Sequence, residues 1–364
     1  MKYLFYFGHP AQYFFLRETI KRLKKQTHEV IILIKTKDVL EDILIKDQIN
    51  YLNILPTERG LSKFAILSSL FKRLFKLFPI ILRENPNLLV GTDASIAILG
   101  KLMLKNRISI TEDDYDVIKT LADITYPFTQ TVLCPAVCSV GKFEKKKVGY
   151  NGYMKLGYLH PNVFKPDVNV KLKYNLGDKY IIFRLARLTA HHDFGIKGIS
   201  ESVLKKLIVL GRKRNFDIYI SSESNLNEEF IQYRLNIDPS DMHSVLAHAS
   251  LLVCDSQSMS VEAAMLGVPS IRVSDFVGKI SVLEELENKY GLTYGIKPSD
   301  EDALFEKLNA LLDDSKLMEN FQERRSQMLN DKIDVTAFLT WFLQNYPASK
   351  KIMKENPDYQ YNFK

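Results

Sequence analysis

The segment Cys254–Ser274 (CDSQSMSVEAAMLGVPSIRVS) most strongly constrains what this chain can fold into. The apolar residues Leu251–Cys254 before it predict a short buried strand, and Ser258–Leu266 has the composition of a helix that begins in a polar loop. Gly267 predicts the end of that helix, and Ser270–Val273 predicts the next strand. The segment is therefore expected to form a β-α-β unit of a parallel sheet.

A strand, a polar turn and a helix N-terminus also form a natural anion site, because the first backbone N–H groups of a helix have no partner within it. Glu262 lies four residues after Ser258, so both side chains are expected on one face of the helix. A carboxylate there can accept hydrogen bonds from the two hydroxyls of a ribose. An ordinary β-α-β unit with a capping serine and a solvated glutamate fits the same spacing.

Apolar runs separated by helical segments continue through the rest of the chain. In the N-terminal half they predict strands at Tyr3–Phe7, Val30–Ile34, Tyr51–Ile54, Leu88–Val90 and Arg107–Ile110. In the C-terminal half they add Lys179–Leu185 and Asp217–Ser221. Strands that alternate with helices predict parallel, doubly wound sheets, so the expected class is α/β. A chain of 364 residues is long enough for two such domains.

Five segments carry a family resemblance: the N-terminal GHPAQYFFLRETIKRL, Tyr150–Asp167, Phe183–Ser200, Ser221–Leu226 and Ser256–Arg272. They resemble the domain-of-unknown-function 354 family of GT-B-like glycosyltransferases, and they share features with hydrolysing UDP-N-acetylglucosamine 2-epimerases. The resemblance implies a GT-B-like fold with two facing Rossmann-like domains and a cleft between them. We expect an acceptor domain over residues 1–165, a nucleotide-sugar donor domain over 166–335, and a crossover helix and tail over 336–364. The polar tail Lys350–Lys364 is expected to be loosely ordered.

Candidate catalytic residues follow the predicted strands of the first domain, where ligands of doubly wound sheets bind. Thr111–Asp116 places four carboxylates within five residues, and Glu112 and Asp114 are the preferred candidates for a general acid or base. Asp93 and His9 are the alternative candidates for this role. Acidic residues at a helix N-terminus, and a capping or core histidine, are the structural alternatives.

The second domain offers candidates for binding a nucleotide-sugar. A polar loop before a predicted helix contains Arg187, His191, Lys197 and Gly198, whose charges and backbone donors suit a diphosphate. Ser222 and Glu223 follow the carboxyl end of another predicted strand and are further candidates for binding the nucleotide-sugar. The resemblance implies that Ser256, Gln257, Ser258 and Met259 contact the diphosphate and that Glu262 binds the ribose. The side chains of the adjacent His191 and His192 are expected to point in different directions, and Cys134 and Cys138 have no second cysteine pair to complete a zinc site. Neither a metal site nor a cofactor is therefore predicted.

The segment Phe64–Arg83 combines apolar residues at helical spacing with lysines and arginines. It is consistent with a helix on an anionic membrane surface, and equally with a crossover helix that has a basic outer face. The net charge is +7, but the sequence contains no nucleic-acid-binding motif, so no nucleic-acid partner is predicted. Three cysteines are too few for a disulfide framework, so the expected location is a reducing cytoplasm. Peripheral contact of the protein with the inner face of the membrane is an open alternative.

The expected function is transfer of a sugar from a nucleotide-sugar, UDP-linked by preference, to a glycan or lipid-linked acceptor in surface polysaccharide or glycolipid synthesis. One alternative is an enzyme like the hydrolysing UDP-N-acetylglucosamine 2-epimerases. Another is a non-catalytic subunit that binds nucleotide-sugars.

Overall fold

The computed structural model describes residues 1–36, 39–56, 63–186 and 198–364, without the side chains of residues 63–67. The chain divides into two compact units. Unit 1 comprises Met1–Tyr158 and Lys332–Lys364, and unit 2 comprises Leu159–Asp331. The boundary expected after residue 165 thus falls inside unit 2, and the C-terminal segment is part of unit 1.

Unit 1 contains a parallel sheet with seven strands among the described residues, in the order β3-β2-β1-β4-β5-β6-β7. The strands are β1 (Lys2–Phe7), β2 (Glu29–Lys35), β3 (Leu52–Leu55), β4 (Leu88–Gly91), β5 (Asn106–Ile110), β6 (Thr131–Pro135) and β7 (Lys147–Tyr150). The five strands predicted for this half are confirmed, and β6 and β7 are additional. Every pairing is parallel.

Helices cover both faces of this sheet, which is why its strands are apolar on both sides. They are α1 (Pro10–Lys25), α2 (Leu40–Lys46), α3 (Lys63–Glu84), α4 (Ala94–Leu102) and α5 (Lys119–Thr125), with α6 (Leu156–Leu159) at the boundary. On one face, Leu4 and Tyr6 of β1 form a buried cluster with Leu77 and Ile81 of α3. Pro79 lies inside α3.

Unit 2 contains a second parallel sheet, with five strands among the described residues in the order β12-β11-β10-β8-β9. The strands are β8 (Tyr180–Leu185), β9 (Asp217–Ser222), β10 (Leu251–Cys254), β11 (Ser270–Val273) and β12 (Tyr294–Ile296). Its helices are α7 (Val170–Lys173), α8 (Glu201–Lys213), α9 (Met242–Ala247), α10 (Gln257–Leu266), α11 (Ser281–Asn288), α12 (Glu301–Asp313) and α13 (Leu317–Asp331). The predicted class, two doubly wound α/β domains, is confirmed.

The C-terminal segment is ordered, and the prediction of a loose tail is wrong. After α14 (Val335–Gln344), the chain forms α15 (Ala348–Glu355) and a 3₁₀ helix, Pro357–Phe363. The Trp341 ring stacks on Tyr359 with centroids 4.8 Å apart, and its centroid lies 5.3 Å from that of Phe363. Aromatic rings in this polar segment supply the apolar area that holds it against α14.

Candidate functional site

The strand order reverses at one place in each sheet, between β1 and β4 in unit 1 and between β8 and β10 in unit 2. Loops leave the carboxyl ends of such neighbouring strands in opposite directions and open a crevice in which ligands bind. Residues predicted for binding or catalysis follow all four strands: His9 after β1, Asp93 after β4, Gly198 after β8, and Ser256 after β10.

In unit 2, the helix that follows β10 begins at Gln257, one residue before the predicted start at Ser258. Ser256 is the N-cap of α10, and its Oγ accepts a hydrogen bond from the N–H of Met259 at 3.3 Å. Gly267 ends the helix in the left-handed conformation, with φ of 69°. The first turn of α10 therefore presents its backbone N–H groups at the reversal point of the sheet, where an anion is stabilised.

Glu262 lies one turn into α10 and is mostly buried. Its Oε1 lies 3.5 Å from Nε2 of His243, and both side chains are 15% exposed. The His243 ring in turn makes an edge contact with Phe164. No sequence pattern indicated His243, because it lies in the separate helix α9. Ser258 also lies in the first turn of α10 and is half-buried.

Asp255 holds the ends of the segment that connects β8 with α8. Its Oδ1 accepts a hydrogen bond from the N–H of Ala186 at 2.6 Å, and the carboxylate also accepts one from the N–H of Ile199. Burial raises the pKa of Asp255 to about 6, although these backbone donors oppose the shift. Gly198 packs directly on this carboxylate.

Three residues predicted to bind the diphosphate, Arg187, His191 and Lys197, lie outside the described residues. They belong to the segment whose two ends Asp255 holds. Asp255 itself was not a predicted site residue. Its signal in the sequence is its position immediately after the buried strand β10.

Gln257, another predicted phosphate ligand, uses its side chain inside unit 2. Its Nε2 donates to Oγ of Ser274 at 2.7 Å, and its Oε1 accepts from Nη1 of Arg272 at 2.8 Å. Arg272 is fully buried, and Glu287 lies 3.9 Å from its Nη2. A buried guanidinium needs a hydrogen-bond acceptor, and the side chain of Gln257 supplies one to Arg272.

Ser222 and Glu223 lie at the carboxyl end of β9, next to β8. The Oγ of Ser222 accepts a hydrogen bond from the N–H of Ser224 at 3.1 Å. Glu223 forms an ion pair with Arg184 of β8, whose Nη1 also donates to Oγ of Ser221 at 2.7 Å. This pair fixes the edge of the sheet beside the reversal point.

In unit 1, Asp93 is the N-cap of α4 and forms an ion pair. Its Oδ1 accepts from the N–H of Ser95 at 2.9 Å and lies 3.1 Å from Nε of Arg73. Burial works to raise the pKa of Asp93, but the charge of Arg73 and the Ser95 hydrogen bonds outweigh it and leave the pKa below its usual value. Asp93 is therefore a weak base.

Glu112 and Asp114 hold two different segments in place rather than sharing one site. Glu112 accepts from the N–H of Met154 at 2.5 Å, and its Oε2 pairs with Nζ of Lys155 at 2.8 Å. Asp114 is buried, and its Oδ1 accepts from the N–H of Ser139 at 2.7 Å. Both carboxylates thus have local structural partners.

His9 is exposed and forms the N-cap of α1. Its Nδ1 accepts a hydrogen bond from the N–H of Ala11 at 3.2 Å, so the neutral ring carries its proton on Nε2. Gln12, one turn further, bridges the two loops at the reversal point, because its side chain accepts from the N–H of Gly8 at 2.9 Å and donates to Oγ1 of Thr92 at 2.6 Å. The sequence did not indicate this bridge.

Within the described residues, no group of three or more His, Cys, Asp or Glu side chains is arranged to hold a metal ion. The three cysteines are buried and unpaired with one another. Burial raises the pKa of Cys134 and of Cys254 to about 12 in each case, which keeps both thiols protonated.

Solved structures share this fold at low sequence identity. The UDP-GlcNAc 2-epimerase from Neisseria meningitidis, solved with UDP-GlcNAc, is 13% identical over 95% of this chain and 100% of its own, with a TM-score of 0.70. S. aureus MnaA, solved with UDP, is 14% identical over 95% and 96%, with a TM-score of 0.68. The SsfS6 glycosyltransferase of Streptomyces sp. SF2575 is 13% identical over 95% and 100%, with a TM-score of 0.57.

These likenesses show a GT-B-like fold, in which two Rossmann-like domains follow each other in one chain. No family model matches the chain, and no curated protein matches it. The resemblance to the domain-of-unknown-function 354 family therefore stays a prediction.

Proposed function

We propose that this chain is an enzyme that transfers a sugar from a nucleotide-sugar, UDP-linked by preference, to an acceptor hydroxyl. One observation carries the proposal: Ser256 caps the ten-residue helix α10 at the reversal point of the unit 2 sheet, with Glu262 one turn inside it. A diphosphate at the N-terminus of α10 and a ribose at Glu262 match a nucleoside diphosphate. Structures with this fold have been solved with UDP and with UDP-GlcNAc.

In this proposal, the bond between the anomeric carbon and the leaving phosphate oxygen breaks as the acceptor oxygen attacks that carbon. Negative charge develops on the diphosphate, and the N–H groups of Gln257 and Ser258 at the start of α10 stabilise it. Arg187 and Lys197 add positive charge from the segment that Asp255 holds at both ends. Glu262 accepts the ribose hydroxyls and so fixes the nucleotide.

Unit 1 supplies the acceptor site in this proposal, and His9 is the candidate for direct contact with the reacting hydroxyl. Among the four candidates, His9 has an exposed side chain at the reversal point. The carboxylates of Asp93, Glu112 and Asp114 already bind structural donors. We propose that these three position loops, while the Nε2–H group of His9 donates a hydrogen bond to the acceptor oxygen and orients it; the proton of the acceptor hydroxyl passes to solvent water.

Epimerisation of UDP-N-acetylglucosamine is the second candidate function, favoured by structures of that named activity among the fold neighbours. Its chemistry needs a base strong enough to remove a proton from carbon. The lowered pKa of Asp93 and the ion pair of Glu112 with Lys155 argue against it. Incubation with UDP-N-acetylglucosamine and no acceptor separates the two, because release of UDP with N-acetylmannosamine would favour the epimerase.

The nucleotide site is tested by titrating UDP and UDP-sugars into Glu262→Ala by calorimetry, after a thermal-shift screen has chosen the donor. Loss of two hydrogen bonds to a charged group predicts an increase in Kd of about 100-fold or more. Glu306→Gln, on the exposed face of α12, is the control and should bind as the wild type does. Unchanged binding by Glu262→Ala would contradict the proposed site.

The role of His9 is tested with His9→Asn, because asparagine keeps an N-cap acceptor and removes the imidazole. The variant should bind the nucleotide with unchanged Kd and lose turnover by about 100-fold, the typical cost when a reacting group is no longer held in position. Turnover equal to that of the wild type would exclude His9 and return the role to a carboxylate.

A further inference from the structure

The outer face of α3 carries a stripe of large exposed apolar side chains. Phe71, Phe75, Phe78 and Leu82 are 53%, 79%, 48% and 63% exposed. Their spacing of four, three and four residues places them on one side of the helix, over a length of about 16 Å. We call these four residues the apolar stripe.

The fold of unit 1 holds this stripe outward. On the opposite side of α3, Leu77 and Ile81 belong to the buried cluster with β1, and both are fully buried. Arg73 is also buried and pairs with Asp93. The helix cannot turn to hide the apolar stripe without breaking these contacts, and the stripe adds nothing to the core.

Basic side chains border the apolar stripe. Lys72, Lys76 and Arg83 are exposed along one side of it, and the sequence from Ser68 to Arg83 contains no Asp or Glu. Arg83 pairs with the next residue, Glu84, at 2.8 Å, whereas Lys72 and Lys76 have no acidic neighbour in this stretch of sequence. An apolar stripe beside lysines and arginines matches the interface of an anionic bilayer, where rings enter the headgroup region and cations meet lipid phosphates.

More exposed apolar residues lie on the segment that contacts the C-terminus of α3. Lys105 donates a hydrogen bond to Oδ1 of Asn85, which joins the end of α4 to the end of α3. Leu102 and Leu104 beside it are 72% and 91% exposed, and Lys101 is exposed as well. Apolar and basic side chains therefore alternate along both connected segments.

We propose that the apolar stripe and its basic border dock this protein onto the surface of an anionic lipid bilayer. A net charge of +7 favours the same partner. A second copy is a poorer occupant, because an antiparallel two-fold contact through this face would bring Lys72, Lys76 and Arg83 of both copies together. Among the described residues no helix is long and apolar enough to span a membrane, so docking is peripheral. The inference does not depend on the proposed enzymatic function.

Co-sedimentation of the full chain with vesicles tests the apolar stripe. The wild type should bind vesicles of equal parts phosphatidylglycerol and phosphatidylcholine, and should bind pure phosphatidylcholine at least tenfold more weakly. Phe71→Ser/Phe75→Ser/Phe78→Ser should reduce partitioning by at least tenfold while keeping the wild-type circular dichroism spectrum. The matched control is Val168→Ser/Leu172→Ser, which removes exposed apolar side chains from unit 2 and should bind as the wild type does.

The basic border is tested separately with Lys72→Gln/Lys76→Gln/Arg83→Gln. Three charges near an anionic surface predict a loss of about 100-fold in partitioning, and high salt should weaken the wild type in the same way. Lys24→Gln/Lys25→Gln at the end of α1 is the control and should retain most of the binding.

Direct insertion is tested with a label. The three native cysteines are buried, so an environment-sensitive dye should react selectively with Phe75→Cys. Anionic vesicles should shift its emission to the blue, while the dye on Leu172→Cys should not respond. Wild-type binding by the triple Phe variant, or an unresponsive dye at position 75, would overturn the proposal. So would a stable dimer that fails to bind vesicles and dissociates when the three Phe are replaced.

Discussion

Asp93 in unit 1 and Asp255 in unit 2 occupy matching places in two sheets of the same kind. Each follows a strand that borders the reversal point, β4 in unit 1 and β10 in unit 2. Each is mostly buried and accepts hydrogen bonds from backbone N–H groups at the start of a helix or loop. The two carboxyl groups nevertheless have pKa values shifted in opposite directions.

The largest difference is a cation in contact with Asp93. The guanidinium of Arg73 at 3.1 Å, together with the hydrogen bonds from Ser95, outweighs burial and lowers the pKa of Asp93. Asp255 is bound mainly by the N–H groups of Ala186 and Ile199, and burial raises its pKa to about 6. Backbone dipoles offset only part of the cost of burying a charge, whereas a neighbouring full charge can offset all of it.

The largest expected effect is on unit 1, where Arg73→Met leaves the Asp93 carboxylate buried without its cation. Removing one partner of a buried ion pair costs about 3–5 kcal/mol. We therefore expect the free energy of unfolding to fall by that amount near neutral pH, measured by urea denaturation with circular dichroism.

The control for this prediction is the double variant Arg73→Met/Asp93→Asn. It removes both charges and keeps a side chain that can cap α4, so most of the lost stability should return. A double variant as unstable as Arg73→Met alone would show that the contribution of Arg73 is packing along α3 rather than its charge.

A smaller effect is expected in unit 2 from Gly198→Ala. A Cβ at residue 198 would lie 2.9 Å from the Cβ of Asp255 and would overlap its carboxylate. The backbone donors that hold Asp255 leave it little room, so we expect a loss of about 1–3 kcal/mol in the free energy of unfolding. Gly198→Ala should also weaken nucleotide binding, because it shifts one end of the segment that contains Lys197.

Gly278→Ala is the reference for Gly198→Ala. Gly278 has φ of 82° and nothing within 4 Å of an added Cβ, so its substitution measures backbone strain alone, about 1 kcal/mol. In Gly198→Ala/Asp255→Ser, the serine keeps the Cβ contact at 2.9 Å but removes the overlap with the carboxylate, so the two losses in the free energy of unfolding should be less than additive. Strict additivity would mean that the alanine does not press on Asp255.

Much of the fold was predictable because strands buried on both faces are continuous apolar runs, as in β1 and β10. The strands β6 and β7 were missed since their sequences, TVLCP and KVGY, contain proline, glycine and lysine. The ordered C-terminus was missed because its stability comes from the rings of Tyr359 and Phe363 against Trp341, a contact that no local pattern reveals.

The position of the candidate site was predictable, because it lies at strand ends and helix starts. The ion pairs that set the charge state of its carboxylates were not. Polar residues after apolar runs identify Asp93, Glu112 and Glu262 from the sequence. Their partners are distant in sequence: Arg73 lies 20 residues before Asp93, and Lys155 lies 43 residues after Glu112. Whether a carboxylate is paired or poised as a base depends on those partners, which tertiary packing alone brings together.

The effect that builds up most gradually is the pH dependence of stability, which should have opposite signs in the two units. The raised pKa of Asp255 stabilises the fold below its unfolded value of 3.8, and this contribution is lost as the pH rises through about 6. The lowered pKa of Asp93 stabilises the fold above 3.8, and this contribution is lost as the pH falls through the folded value. Asparagine at either position does not titrate, so its own contribution to the free energy of unfolding is the same at every pH.

Unfolding free energies of the wild type, Asp255→Asn and Asp93→Asn are therefore compared between about pH 3 and pH 7. From pH 4 to 6, the wild type should lose stability relative to Asp255→Asn, by at most about 1.4 kcal/mol per pH unit. Toward pH 3, the wild type should lose its advantage over Asp93→Asn. Parallel profiles for the two variants would mean that Arg73 does not set the difference between these aspartates, since the same burial would then govern both.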